Sequence, residues 1–128
     1  MPHQYIATAS APSAIGPYSQ AICTGPMLFI SGQLGVDPEK GTLVEGGTGA
    51  QTRQALANIQ AILDEAGFAK QEVVQVQVFL ADLGDYKVMN EAYAAFFDNH
   101  APSRAAFEVA RLPLDGRVEI MVTAVRAE

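Results

Sequence analysis

The chain has 128 residues, 49% of them hydrophobic, and a net charge of −6, a composition typical of one globular domain over residues 1–128. An acidic chain repels nucleic acid, and no apolar run here is long enough to span a bilayer. The opening residues, MPHQYIATASAPS, lack the basic start and apolar centre of a secretory signal, so we expect a soluble cytoplasmic protein without membrane or nucleic-acid partners.

The first predicted elements form a β-hairpin. The runs YSQAICTG and MLFISGQLG are apolar and lie on either side of Gly25-Pro26, a dipeptide typical of turns. A short extra strand is predicted before them, at residues 4–7. The next segment, VDPEKGTLVEGGTG at 36–49, is rich in glycine, proline and acids and predicts a surface loop.

A helix is predicted to follow that loop. Thr48 and Gln51 have the three-residue spacing of a capping box, and Gly67 marks the end of the pattern. Between them, apolar residues recur every three or four positions, namely Leu56, Ile59, Ile62, Leu63 and Ala66.

The run VVQVQVFL at 73–80 predicts a strand, because its side chains alternate between two faces. The face predicted to meet the core carries Val74, Val76, Val78 and Leu80. The opposite face is predicted to carry Val73, Gln75, Gln77 and Phe79.

A second helix is predicted from about Asp85 to a point before Pro102. Its apolar stripe consists of Tyr86, Met89, Tyr93, Phe96 and Phe97. Two further strands, RAAFEVA and RVEIMVTAVRA, complete the chain on either side of a loop that contains proline and glycine.

This order of elements predicts an α+β fold, in which both helices cover one face of a mixed sheet. The other face keeps apolar side chains that no third helix can cover, namely Val73, Phe79, Met121 and Val125. We therefore expect a partner subunit to cover that face.

Two polar residues fall in apolar surroundings. Asn90 lies about 40° from Tyr86 around the second helix and should point inward, where it either ties down a backbone group or reaches a ligand. Glu119 shares a strand face with Met121 and Thr123. It is either a solvent-facing or edge glutamate, or a carboxylate with a raised pKa that suits proton transfer.

Arg104 shares its strand face with Ala106 and Glu108. It either pairs with Glu108, or solvates the end of the strand, or uses the space beside Ala106 to present a planar fork to a carboxylate. The last interpretation implies an acidic small molecule as the ligand.

Three further positions are candidates for a site. Ser31-Gly32 interrupts an apolar strand, which indicates a β-bulge or a place where another group approaches the backbone closely. Tyr18 follows a turn and is either a packed loop aromatic or a site residue.

Covalent and metal chemistry have weak support in the sequence. The single cysteine, Cys23, predicts no internal disulfide, and neither His3 nor His100 has partners at metal-ligand spacing. No Ser-His-Asp or Cys-His set is recognisable. We therefore expect no metal site and no covalent intermediate.

Five motifs occur in an order that resembles the RidA family, also called YjgF/YER057c/UK114, across nearly the whole chain. They are IGPYSQA, FISGQLG, NEAYAAFF, PSRAAFEVARLP and VEIMVTAVR. The resemblance implies a chorismate-mutase-like fold and a homotrimer with clefts between subunits. It also implies an enzyme of metabolite damage control that hydrolyses reactive 2-imino acids, formed from enamines such as 2-aminoacrylate, to 2-keto acids and ammonia without a cofactor.

The resemblance also implies roles for individual residues. The carboxylate-binding arginine of the family falls on Arg104 and its catalytic glutamate on Glu119. The remaining pocket positions fall on Tyr18, Ser31, Gly32, Asn90 and Ala106.

Two departures from the family pattern stand in the pocket and next to it. Ala106 occupies the position of a cysteine found in many members, and Met121 replaces a second acid often found two residues after the catalytic glutamate. The preference among imino acids is therefore not predicted. A small keto-acid-binding regulatory protein remains an alternative function, and an endoribonuclease or chaperone is a less favoured one.

Overall fold

The computed structural model describes residues 2–127 as a six-stranded mixed sheet with two long helices. This arrangement confirms the predicted α+β class. The elements in chain order are β1 Gln4–Ile6, β2 Ala21–Thr24, β3 Met27–Leu34, α1 Gly47–Ala66, β4 Val73–Leu80, α2 Tyr86–Phe97, β5 Ser103–Glu108 and β6 Val118–Val125.

The strands lie in the order β1-β2-β3-β6-β4-β5. Neighbouring strands are antiparallel except β4 and β5, which are parallel. A parallel pair needs a crossover connection, and α2 provides it. Because β5 is last in the strand order, it is an edge strand, and α2 leads into it along the chain.

Both helices pack on one face of the sheet, because alternate residues of the central strands and the apolar stripes of α1 and α2 belong to one buried cluster. Its main members are Leu28, Ile30, Leu56, Ile59, Val76, Val78, Met89, Phe97, Ile120 and Val122. Arg104 pairs with Val76 across β5 and β4 and therefore lies on this helix-covered face.

The opposite face of the sheet, here called the open face, is apolar, and no element of the described part, residues 2–127, covers it. Phe29 is 43% exposed and Phe107 44% exposed, and the ring of Phe107 meets Phe79 edge-on at 5.4 Å. Met121 is also exposed. The predicted uncovered face is thus present, with Phe79, Met121 and Val125 on it.

The prediction for the first two residues of β4 is wrong. Val73 is fully buried and Val74 is 44% exposed, the reverse of the predicted faces. The register of β4 against β6 shifts between Val73 and Gln75. An extra residue at such a bulge reverses the alternation of the side chains that precede it.

The predicted capping box is also wrong. Helix α1 begins at Gly47 after Gly46, whose φ is 115°, and no side chain among residues 2–127 caps its start. The Thr48 hydroxyl instead donates to Asp85 Oδ2 at 2.7 Å, and Gln51 Oε1 accepts from the Arg117 backbone N–H at 2.8 Å. These two residues therefore tie α1 to the segments that precede α2 and β6.

The remaining boundaries are close to the predicted ones. Gly67 ends α1 in the left-handed conformation, with φ 76°, which glycine adopts without strain. The loop predicted over 36–49 is shorter, since α1 takes its last residues, and Val36 pairs with Leu43 inside it. Within residues 2–127, no helix is both long enough and apolar enough to cross a membrane.

Candidate active site

The guanidinium of Arg104 is held in the gap between the edge strand β5 and α2. Its Nη1 donates to Asn90 Oδ1 at 2.7 Å, and its Nη2 donates to the Tyr86 hydroxyl at 2.6 Å. Its Cζ lies 4.6 Å from the centre of the Tyr93 ring. An arginine has five N–H donors, so this clamp leaves others available for an anion.

Of the two roles predicted for Asn90, contact with a ligand stays a prediction, and the other, a hold on a backbone group, is not seen within residues 2–127. Asn90 is half-buried, and its amide oxygen holds the guanidinium rather than a backbone group. The predicted alternative of an Arg104–Glu108 pair is not formed either, because Glu108 Oε1 accepts from the Leu83 backbone N–H at 2.9 Å. Ala106 is half-buried on the same face as Arg104, so no long side chain fills the space beside it.

A cavity of about 280 Å³ lies against the Arg104 clamp, lined in part by Asn90, Tyr93 and His100. The Tyr93 hydroxyl is buried and has no hydrogen-bond partner within residues 2–127. Burial raises the pKa of Tyr93, and the nearby Arg104 charge opposes that change. The hydroxyl therefore remains a neutral donor.

Tyr86 and Tyr93 are functional candidates that the sequence reasoning missed, because it placed both in the apolar stripe of α2. Tyr86 is 40% exposed, so it is not part of the core. A sequence signal for the clamp exists, since Tyr86, Asn90 and Tyr93 recur at helical spacing on one side of α2.

Glu119 lies on the open face, against the β3 backbone. The register between β3 and β6 shifts between Ile30 and Gln33, which confirms a bulge at Ser31-Gly32. A Cβ atom on Gly32 would lie 2.8 Å from Glu119 Oε2. The close approach predicted at this glycine is therefore confirmed, and the approaching group is the carboxylate of Glu119.

The environment of Glu119 suits a group that exchanges protons. Its side chain is half-buried, and within residues 2–127 no hydrogen bond to the carboxylate is formed. Burial raises the pKa of Glu119 above its ordinary value of 4.5. A carboxylate that is partly desolvated and unpaired is a stronger base than one in water.

The bulge is fastened to the segment that carries Tyr18. Ser31 Oγ donates to the Ser19 carbonyl at 2.6 Å, and the Ser31 backbone N–H donates to the Gln20 carbonyl at 2.9 Å. Tyr18 is half-exposed and, together with Gly32, lines a cavity of about 210 Å³. Tyr18, Ser31, Gly32 and Glu119 thus form a second group of candidate site residues.

Arg104 and Glu119 lie on opposite faces of the sheet. Arg104 on β5 pairs with Val76 on β4, and Val76 pairs with Val122 on β6, so these three side chains lie on one face. Glu119 comes three residues before Val122 on β6. An odd separation reverses the face, and β5 and β6 are two strand spacings apart, or about 10 Å. The two side chains of one chain therefore do not reach the same small molecule.

We expect Gly32→Ala to reduce turnover about tenfold or more while the fold is kept. The added Cβ would displace the Glu119 carboxylate, which can swing away at little cost in stability, and small misplacements of a reacting group slow catalysis strongly. Steady-state kinetics and thermal melting check this. In a Glu119→Gln background the same change should have little further effect, and two additive losses would contradict the assigned contact.

We also expect the stability of the protein to depend on the pH through Glu119. Its folded pKa is raised above 4.5, so the folded state binds more protons than the unfolded state between the two values, and stability falls as the pH rises through that window. Glu119→Gln lacks this loss, so the variant should melt higher than the wild type at neutral pH and equally at pH values below about 4. Melting temperatures that differ by a constant amount at every pH would contradict the prediction.

Comparison with known proteins gives consistent results. The family model described as Endoribonuclease L-PSP matches residues 8–126. The 2-iminobutanoate/2-iminopropanoate deaminase of Bos taurus is 50% identical over 121 residues, which cover 94% of this chain and 88% of the relative. The same-named protein of Salmonella typhimurium is 46% identical over 124 residues, which cover 94% of this chain and 96% of the relative.

A solved structure extends the likeness to three dimensions. The structure of TdcF from E. coli with bound serine has a TM-score of 0.93 and 41% sequence identity, and the match covers 97% of this chain and 99% of that one. Similarity over nearly the full length of both chains means that sheet, helices and loops correspond together.

Proposed function

This chain belongs to the Endoribonuclease L-PSP family, which includes the RidA proteins, and we propose that it hydrolyses small 2-imino acids to 2-keto acids and ammonia. It is an imine deaminase, as are the relatives at 46–50% identity that carry this name. The site is assigned from one observation: the chain has both an arginine held in place by two hydrogen bonds, Arg104, and a half-buried glutamate without a hydrogen-bond partner within residues 2–127, Glu119.

Arg104 binds the carboxylate of the substrate in this proposal. Asn90 and Tyr86 fix the guanidinium plane before the ligand arrives, so little rotational freedom is lost on binding. A guanidinium matches a carboxylate through two parallel hydrogen bonds, which also orient the imine carbon. The serine bound to TdcF is a ligand of the same kind, a small acid with nitrogen on its α-carbon.

Glu119 acts as the general base for the attacking water in this proposal. It accepts a proton from the water while the oxygen forms a bond to the electrophilic carbon of the protonated imine. The proton then passes to the nitrogen, and the C–N bond breaks as Glu119 takes the proton of the new hydroxyl, so that ammonia and the keto acid form. Glu119 passes that proton to the departing ammonia and returns to its carboxylate form. Hydrolysis is balanced by one water molecule, and no oxidant, metal or cofactor is required.

The remaining site residues orient the substrate and the water. Gly32 lets the Glu119 carboxylate lie against the β3 backbone, and Ser31 fastens the bulge that carries Gly32. Tyr18 supplies a hydroxyl at the rim of the adjoining cavity. Ala106 leaves room beside Arg104 for the substrate side chain.

The complete site needs two copies of the chain. Arg104 and Glu119 face away from each other across one sheet, so a single small substrate meets both only if they come from different subunits. The open face carries the exposed rings of Phe29 and Phe107 together with Met121, an apolar surface that suits burial against another copy. We propose a homotrimer with one cleft at each of its three interfaces.

A nucleic-acid partner has less support. The net charge of −6 opposes phosphate binding, and the Nε2 of His100 is engaged with the Val73 carbonyl at 2.7 Å. A cytoplasmic location accords with a chain whose single cysteine cannot form an internal disulfide.

The function is tested with a dehydratase that generates 2-aminoacrylate or 2-iminobutyrate in solution. Micromolar amounts of this protein should accelerate the release of the keto acid above the spontaneous rate. An unchanged rate would contradict the proposal. If the rate were unchanged and the protein bound 2-ketobutyrate tightly, the keto-acid-binding alternative would be favoured.

A further inference from the structure

The Tyr86 hydroxyl has a proton that its observed contact cannot use. Its oxygen accepts a hydrogen bond from Arg104 Nη2 at 2.6 Å. A guanidinium has donors only, so the hydroxyl proton must point away from Arg104. Within residues 2–127 no group accepts that proton, and the Tyr86 side chain is 40% exposed.

Tyr86 also lies close to the C-terminal end of β5. It is the first residue of α2, and the turn just before it is fixed by the hydrogen bond from the Leu83 backbone N–H to Glu108. The start of α2 is therefore held at the end of β5 that carries Ala106 and Glu108. Tyr93 differs from Tyr86 because its hydroxyl is buried deeper along the helix.

We propose that the Tyr86 hydroxyl donates a hydrogen bond to the carboxylate that binds Arg104, and so helps to select anionic over neutral ligands. A carboxylate has about four acceptor positions, of which the arginine fork occupies two. A neighbouring phenol, already held 2.6 Å from the fork, adds a third donor without new ordering of its side chain. This inference rests on the proposed function only in taking the Arg104 ligand to be a carboxylate.

Tyr86→Phe tests the inference, since it removes the hydroxyl and keeps the ring. The dissociation constants of 2-ketobutyrate and of its neutral amide, 2-oxobutanamide, are measured by calorimetry for wild type and variant. We expect the constant for 2-ketobutyrate to rise about three- to tenfold and that for the amide to change less than about twofold. With an imino-acid substrate, KM should rise by the same factor while kcat stays within about twofold.

Tyr5→Phe is the matched control, because it removes the same hydroxyl from an exposed tyrosine on β1. Its binding constants should equal those of the wild type. The inference is overturned if Tyr86→Phe leaves 2-ketobutyrate binding unchanged, if it weakens acid and amide equally, or if only kcat falls.

The binding measurement separates this inference from the proposed function. If the wild type binds 2-ketobutyrate but turns over no imine, the deaminase proposal fails, and the acid-to-amide comparison still decides the role of Tyr86. If the wild type turns over imine but binds no keto acid, the inference about Tyr86 is overturned and the deaminase proposal stands.

Discussion

Arg104→Ala is expected to raise the KM for 2-imino acids about 100-fold or more and to abolish detectable binding of 2-ketobutyrate. The change removes a charged fork whose hydrogen bonds to a carboxylate are each worth about 1.5–3 kcal/mol. It also leaves Asn90 and the Tyr86 hydroxyl without the partner that they hold. Steady-state kinetics and calorimetry with the keto acid measure both effects.

Arg104→Lys is the matched control for this prediction. Lysine keeps the charge but offers no planar fork, and with three donors on one nitrogen it has at most one left for a carboxylate once Asn90 and Tyr86 are satisfied. We expect a KM between those of the wild type and the alanine variant. If the alanine variant kept its KM within about threefold, Arg104 would not be the carboxylate-binding residue.

Glu119→Gln is expected to lower kcat by about 10²- to 10⁴-fold, the usual contribution of a general base. Glutamine has nearly the same shape as glutamate, so the contact with Gly32 and the binding of 2-ketobutyrate should both survive. Single-turnover rates of imine hydrolysis, together with the dissociation constant of the keto acid, distinguish a loss of chemistry from a loss of binding.

Glu119→Asp provides the conservative comparison. It keeps a base but withdraws it from the bulge by one methylene, so we expect a partial loss of kcat. Equal turnover in the wild type and the glutamine variant would refute the role of Glu119. Parallel loss of binding and turnover would instead indicate that Glu119 holds the pocket together.

The sequence was sufficient to predict the sheet faces wherever the alternation is regular. It correctly grouped Arg104 with Ala106 and Glu108 and correctly grouped Glu119 with Met121 and Thr123, because side-chain direction in a regular strand depends only on parity. It failed at Val73 and Val74, since a bulge changes the parity and VVQVQVFL carries no glycine that would reveal one.

The partners of polar side chains were harder to predict than their positions. Thr48 and Gln51 fit a capping box locally, yet Asp85 and the Arg117 backbone compete for them from segments distant in the sequence. Tyr86 likewise fits the apolar stripe of α2 locally, but its hydroxyl accepts from Arg104, which belongs to another element. Tertiary contacts of this kind have no local signature, so the clamp around Arg104 emerged only from the structure.

In the proposed oligomer, each site takes Arg104 from one subunit and Glu119 from another. The physical basis of this arrangement is the placement of the two residues on opposite faces of a sheet whose open face is apolar. At substrate concentrations near the wild-type KM, each single variant should therefore keep only about one hundredth of the wild-type activity as a homo-oligomer, although every chain still carries one intact half of a site.

The most direct test is to co-express Arg104→Ala and Glu119→Gln in equal amounts and to measure the activity of the mixed oligomers. Random assembly should restore about one quarter of the wild-type activity, because one site in four then receives both intact residues. Wild type mixed equally with the double variant should also give about one quarter. No recovery in the first mixture, together with about half the activity in the second, would place both residues in one subunit and contradict the account.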